Sequence, residues 1–156
     1  MTVLPLAFLM GIVAGLRTFM APAAVSWAAH RGAIDVAHAR MAFMGWRFTP
    51  WIFTLLAATE LVLDQLPSTP SRTVPPQFGA RLVSGALCGA TIGSGDGMAI
   101  VGALAGAVGT VAGTLGGARA RAGMAAAFGS DRPAALIEDV IAIAAAICIA
   151  WACGTR

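Results

Sequence analysis

Apolar residues come in long runs separated by short polar intervals. The first run extends from about Val3 to Ala29 and is interrupted at Gly15-Leu16-Arg17-Thr18 and again at Pro22. A crossing helix needs about 20 residues, so each piece is too short, and the pattern predicts one kinked helix or a broken pair of half-helices. The next interval, His30 to Arg47, carries Arg31, Arg40 and Arg47 against Asp35. Trp27, Trp46 and Trp51 bracket it, as interfacial anchors do. A second run, from about Phe48 to Leu66, is apolar except for Thr54, Thr59, Glu60, Asp64 and Gln65. Pro67-Ser68-Thr69-Pro70-Ser71-Arg72 and Pro75-Pro76 predict an extended linker at the midpoint. The third run starts near Phe78, breaks at Ser94-Gly95-Asp96-Gly97, resumes at Met98 and reaches about Gly117. Arg119, Arg121, Asp131 and Arg132 predict the next loop. A last helix is expected from about Ala134 to Ala152, capped by Ser130 or Asp131 with Pro133 in its first turn.

The two halves, 1–67 and 78–156, share an outline. Gly11 and Gly15 precede a polar break at Arg17; Gly85 and Gly89 precede one at Asp96. Each half then passes through an arginine-bearing loop into an apolar helix with two carboxylates, Glu60 and Asp64 or Glu138 and Asp139. Two half-helices and one full crossing per half give an odd number of crossings, so the second half is expected to be an inverted repeat of the first. Many transporters build a midplane site from broken helices in such repeats. The loops at 30–47 and 118–132 hold three arginines each, so the positive-inside rule leaves the orientation open.

Composition narrows the class. The chain is 58% hydrophobic and 11% charged, against about 25% charged in soluble domains. That excludes an ordinary soluble domain, a disordered chain and a collagen-like repeat. All ten basic residues are arginine, spread between apolar runs with a net charge of +3, so no nucleic-acid partner is expected. Alanine and glycine make up 54 of the 156 residues. Helices in lipid associate by close backbone approach, which small residues permit; a transmembrane β-barrel needs alternation and aromatic girdles instead. The expectation is an all-α, polytopic transmembrane helical bundle with broken or re-entrant helices, a single integral membrane domain over residues 1–156. Gly102, Gly106, Gly109, Gly113 and Gly116 line one helix face, a glycine zipper for contact within the chain or in a homodimer. Pro5 to Leu16 is apolar but has no basic residue before it, so it is read as mature chain and not as a signal peptide.

The charges inside the runs are the candidate chemistry. An unpaired carboxylate at the bilayer centre costs about 2.5–3.5 kcal/mol on insertion scales, so it must be protonated, paired or wet. Glu60 and Asp64 share a helix face and form either an ion or proton site or, for Asp64 next to Pro67 above all, an interfacial pair. Glu138 and Asp139 are adjacent near a helix start. The dipole there favours acids by roughly 0.3–1 kcal/mol, which accounts for one of them; the other should point into the bundle. Arg17 is the expected partner of Glu60 or Asp139 through a bidentate pair, with snorkelling to the surface as the alternative. The glycine-rich Ser94-Gly95-Asp96-Gly97 is either a re-entrant break lining water, where Asp96 suits a cation or proton, or an exposed turn. Cys88, Cys148 and Cys153 show no metal spacing and read as packing residues. His30, His38 and Asp35 lack a fourth ligand and read as exposed loop residues. No metal or other cofactor is expected. Without a phosphate loop, nucleophile elbow or metalloprotease motif, no enzyme is expected either.

With Gly11, Gly15-Leu16-Arg17, Glu60, Asp64, Pro67 and Glu138-Asp139 in view, the chain resembles the domain of unknown function 4126 family of small bacterial integral membrane proteins over nearly its whole length. The resemblance implies an integral membrane location and no particular activity. The expected function is transport or conduction of a small solute or ion by a multi-pass, homodimeric inner-membrane protein. The pathway would use Arg17, Glu60, Asp64, Asp96, Glu138 and Asp139, with breaks at Gly15, Ser94, Gly95 and Gly97. The alternatives are a non-transporting membrane scaffold, or a lipid-headgroup binder with Arg17 and Arg81 in one lipid-facing groove.

Overall fold

The computed structural model describes residues 3–37, 39–64 and 74–155; His38, the linker 67–72 and Arg156 lie outside them. Among the described residues the regular structure is all helical. The elements are α1 (Val3–Leu16), α2 (Met20–His30), α3 (Thr49–Leu63), α4 (Pro75–Ser94), α5 (Ala99–Phe128) and α6 (Asp131–Gly154), with a short 3-10 turn at Ala42–Gly45.

The break in the first run has a local cause. Pro22 has no N–H, and in a continuous helix its ring would collide with the carbonyl four residues earlier, that of Thr18. The helix stops at Leu16, and the Thr18 carbonyl accepts instead from the Ser84 hydroxyl at 2.5 Å. Helical bonding restarts where Ala23 N–H donates to the Phe19 carbonyl. Pro22 lies in the first turn of α2, where no N–H is needed. The two half-helices have 14 and 11 residues, about 21 and 16 Å at 1.5 Å per residue. They form a hairpin rather than a kinked rod: Gly32 to Asp35, just after α2, line the same recess as Val3 and Leu4 at the start of α1.

The later helices alternate in direction as well. The Trp27 indole on α2 donates to Thr54 of α3, while Glu60 further along α3 reaches Thr18. Gly89 of α4 lies on Gly102 of α5, and Gly93 on Met98. Arg121, late in α5, meets Asp131 and Glu138, early in α6. So α1, α3 and α5 run one way and α2, α4 and α6 the other. Arg17 marks one end, the charged end. Residues 31–37 and 39–48 and the 95–97 turn mark the other, the aromatic end. The halves run oppositely, helix for helix, but α1 and α4 have 14 and 20 residues, and α2 and α5 have 11 and 30. The carboxylate pairs are not equivalent positions either. Glu60 and Asp64 close α3, whereas Glu138 and Asp139 lie in the second and third turns of α6. They meet because they occupy opposite ends of antiparallel helices.

Two boundaries differ from the sequence expectation, and one open alternative is decided. Pro75 and Pro76 open α4 rather than extend the linker, because proline fits a helix's first turn. The glycine-bearing helix does not end near Gly117. It continues through Arg119 and Arg121 to Phe128, since alanine, the best helix former, fills that stretch, and it stops at Gly129 with φ 67°. Gly95, Asp96 and Gly97 are an exposed reversal between α4 and α5, not a re-entrant break. Gly97 takes φ 70° there, and Gly93 packs on the Met98 backbone, which turns the chain back on itself.

The middle of the bundle is built on small residues. α1, α4 and α5 meet backbone to backbone: Gly11 on Gly106, Gly15 on Thr110 and Gly113, Gly89 on Gly102, and Gly109 on Phe8. Four of the five stripe glycines therefore face α1 and α4; Gly116 has open space beside it. The large apolar side chains point outward instead. Ile100 on α5 is 79% exposed, Leu55 on α3 69% and Val140 on α6 68%, whereas Arg17 is 0% exposed. This inverts the water-soluble pattern, in which such patches are small. By length and composition α5 and α6 are long and apolar enough to cross a membrane.

Candidate functional site

The loose ends of the α1–α2 break define the site. A helix C-terminus presents bare carbonyls and a negative partial charge; an N-terminus presents bare N–H groups and a positive one. Here side chains from other helices meet both. Arg81 of α4 donates to the Gly15 carbonyl at 3.1 Å and to the Leu16 carbonyl at 2.8 Å, and the Thr114 hydroxyl of α5 adds a bond to Gly15 at 3.3 Å. On the α2 side, the Glu60 carboxylate accepts from Thr18 N–H at 2.6 Å and Phe19 N–H at 2.8 Å. A cation caps the negative end and an anion the positive end, and the two face each other with Arg81 Nη2 3.8 Å from Glu60 Oε1.

Arg17 sits in the break itself, fully buried. One guanidinium nitrogen pairs with Asp64 at the end of α3 and the other with Asp139 of α6. Glu138, the neighbour of Asp139, faces Arg121 of α5 at 3.5 Å. Arg121 also makes a two-pronged bond to Asp131, at 2.9 and 2.6 Å. Five of the chain's seven acids and three of its ten arginines thus join in ion pairs at one end of the bundle.

Of the expected site residues, Arg17, Glu60, Asp64, Glu138 and Asp139 converge, and Gly15 lies at the break as foreseen. Asp139 is the expected partner of Arg17. Glu60 is not: it caps α2 and faces Arg81. Asp64, close to the linker, takes the place beside Arg17. Asp96, with Ser94, Gly95 and Gly97, belongs to the aromatic end. Asp96 and Gly95 line a recess of about 770 Å³ with Asp35, Val3 and Cys153. The length of α1, about 20 Å, separates that recess from Arg17, so Asp96 stands outside the network. Arg17 and Arg81 face carboxylates and carbonyls rather than a lipid-facing groove. Ser84, Thr114 and Arg121 are the contributors the sequence did not single out as site residues, and Arg81 entered only through the lipid-facing groove. The available signal was spacing: Arg81, Ser84 and Cys88 fall on the Gly85–Gly89 side of α4 and are all buried.

The capping role of Glu60 sets an expected result. Glu60→Ala orphans two N–H groups, and each buried orphan costs about 1–3 kcal/mol. Glu60→Gln retains an acceptor oxygen and costs less. Thermal unfolding of the purified variants ranks them; equal stability of the alanine variant and the parent would remove the cap.

Comparison with protein-family models, curated proteins and solved structures finds no significant match to this chain.

Proposed function

We propose that the chain is a polytopic inner-membrane protein that moves a small solute or ion past the charged break between α1 and α2, with proton exchange on the α6 carboxylates. One observation carries this reading. Among the described residues the network sets three guanidinium groups against five carboxylates, and of those acids only Asp131, with a 59% exposed side chain, is open. Ionisable side chains enclosed in an apolar setting mark an ion or proton pathway by default. The outward apolar side chains and the spans of α5 and α6 support a bilayer setting. Half-helices of 14 and 11 residues meeting at charged side chains are an arrangement that transporters use for substrate. A chain with so few full-length helices encloses little alone, and a homodimer completes the proposal.

The test uses proteoliposomes with an entrapped pH dye, challenged with a panel of metal cations and small metabolites. Wild-type protein is expected to couple entry of at least one panel member to a pH change. Glu138→Gln, which keeps the shape and removes the charge, is expected to lower that signal tenfold or more while the protein stays folded. An unaltered signal would remove Glu138 from the pathway. The second reading, a non-transporting scaffold, draws on Glu60 and Arg81, whose charges serve the backbone. It expects a silent panel and a folded protein in every arm.

A further inference from the structure

The arginines at the aromatic end differ from those at the charged end. Arg17, Arg81 and Arg121 all meet carboxylates. Arg31, Arg40 and Arg47 are exposed and, among the described residues, meet none. The one acid in their segment, Asp35, accepts from the backbone N–H of Ala37 at 3.1 Å. Two of these guanidinium groups are held on aromatic rings: Arg31 lies 5.2 Å from the Trp27 ring centre and Arg47 4.7 Å from that of Phe48. The rings are fixed in turn. Trp27 packs edge-on against Trp51 and bonds Thr54 at 3.0 Å, and Trp46 packs edge-on against Phe48. Trp46, Phe48 and Trp51 remain 58%, 47% and 64% exposed.

A guanidinium stacked on a ring keeps its N–H edge open for a planar or tetrahedral anion. Indole and phenyl rings at this level suit the headgroup zone of a bilayer. We infer that Arg31, Arg47 and the rings of Trp46, Phe48 and Trp51 form a binding surface for acidic phospholipid headgroups, with Arg31 and Arg47 as the phosphate-binding residues and the ring collar setting their depth. The inference rests on the membrane part of the proposed function. It concerns the opposite end of the molecule from the charged network and needs no transported solute.

The experiment compares the protein in nanodiscs of phosphatidylcholine alone and of phosphatidylcholine with phosphatidylglycerol, counting retained lipids by native mass spectrometry. Each arginine at an acidic surface contributes roughly a fivefold preference. The double variant Arg31→Gln with Arg47→Gln is therefore expected to lose about 25-fold in phosphatidylglycerol retention, while Arg119→Gln with Arg132→Gln, at the other end, loses little. Inorganic phosphate at matched concentration is expected not to displace the retained lipid. Equal retention of both lipids by the wild type, or equal losses in the two double variants, would overturn the inference. Flotation with plain phosphatidylcholine vesicles separates the two failures: protein that stays in the aqueous layer refutes the membrane reading, whereas protein that floats without lipid preference refutes only the headgroup site.

Discussion

Arg17→Ala is expected to destabilise the protein by about 3–5 kcal/mol, the range seen when one member of a buried ion pair is removed. For a chain of this length each kcal/mol shifts the melting temperature by about 2–4 °C, so the drop is large enough to read in detergent. The cause is specific. Asp64 and Asp139 approach the same guanidinium from different helices, and its loss leaves two carboxylates facing one another across the break. The rescue follows from the same geometry. Adding Asp64→Asn and Asp139→Asn to Arg17→Ala removes both charges and recovers most of the loss. If the triple variant is less stable than the single one, Arg17 is not what balances these acids. Arg17→Lys is expected to fall between, since one ammonium lacks the planar fork that serves two partners.

Gly106→Leu is expected to prevent assembly of the bundle, and Gly106→Ala to cost at least about 1–3 kcal/mol, as overpacking does. A β-carbon at Gly106 would run into the Gly85 carbonyl, while Gly11 of α1 already rests on the Gly106 carbonyl. Backbone cannot turn aside as a side-chain tip can, so α4 must move away from α5. Gly116→Ala is the matched control, because nothing lies beside Gly116. Helix propensity alone favours alanine over glycine by about 1 kcal/mol, so the control is expected to hold its melting temperature or gain. Equal behaviour of the two alanine variants would show that propensity, not packing, governs this helix.

Much of the framework was legible in the sequence because the causes are local. Pro22 forbids a continuous helix four residues behind it, and the half-helices follow. The glycine periodicity marked the inner face of α5. Arg17 stood out because it is the one charge between Val3 and Ala29. What was hidden depended on partners far away in sequence. Arg81 looks like an interfacial arginine early in a helix; its role comes from carbonyls 65 and 66 residues distant. Asp64 looks interfacial beside Pro67, and only the antiparallel course of α3 and α6 brings it to Arg17. The exchange of partners, Asp64 for Glu60 beside Arg17, has the same origin: one helical turn separates the two acids, and the chain's return path decides which reaches the guanidinium. Asp96 misled through its glycines, which suit a re-entrant break and a surface turn equally well; the packing of α4 on α5 selects the turn.

The backbone contact among α1, α4 and α5 has a kinetic corollary. Three rods touching along their glycines leave no bore between them for a file of water molecules. On the proposed transport reading, any passage between these three helices waits on their parting, a movement of microseconds to milliseconds. Turnover would then saturate with solute concentration and follow the stiffness of the bilayer, instead of rising in proportion to the driving force as current does through an open pore.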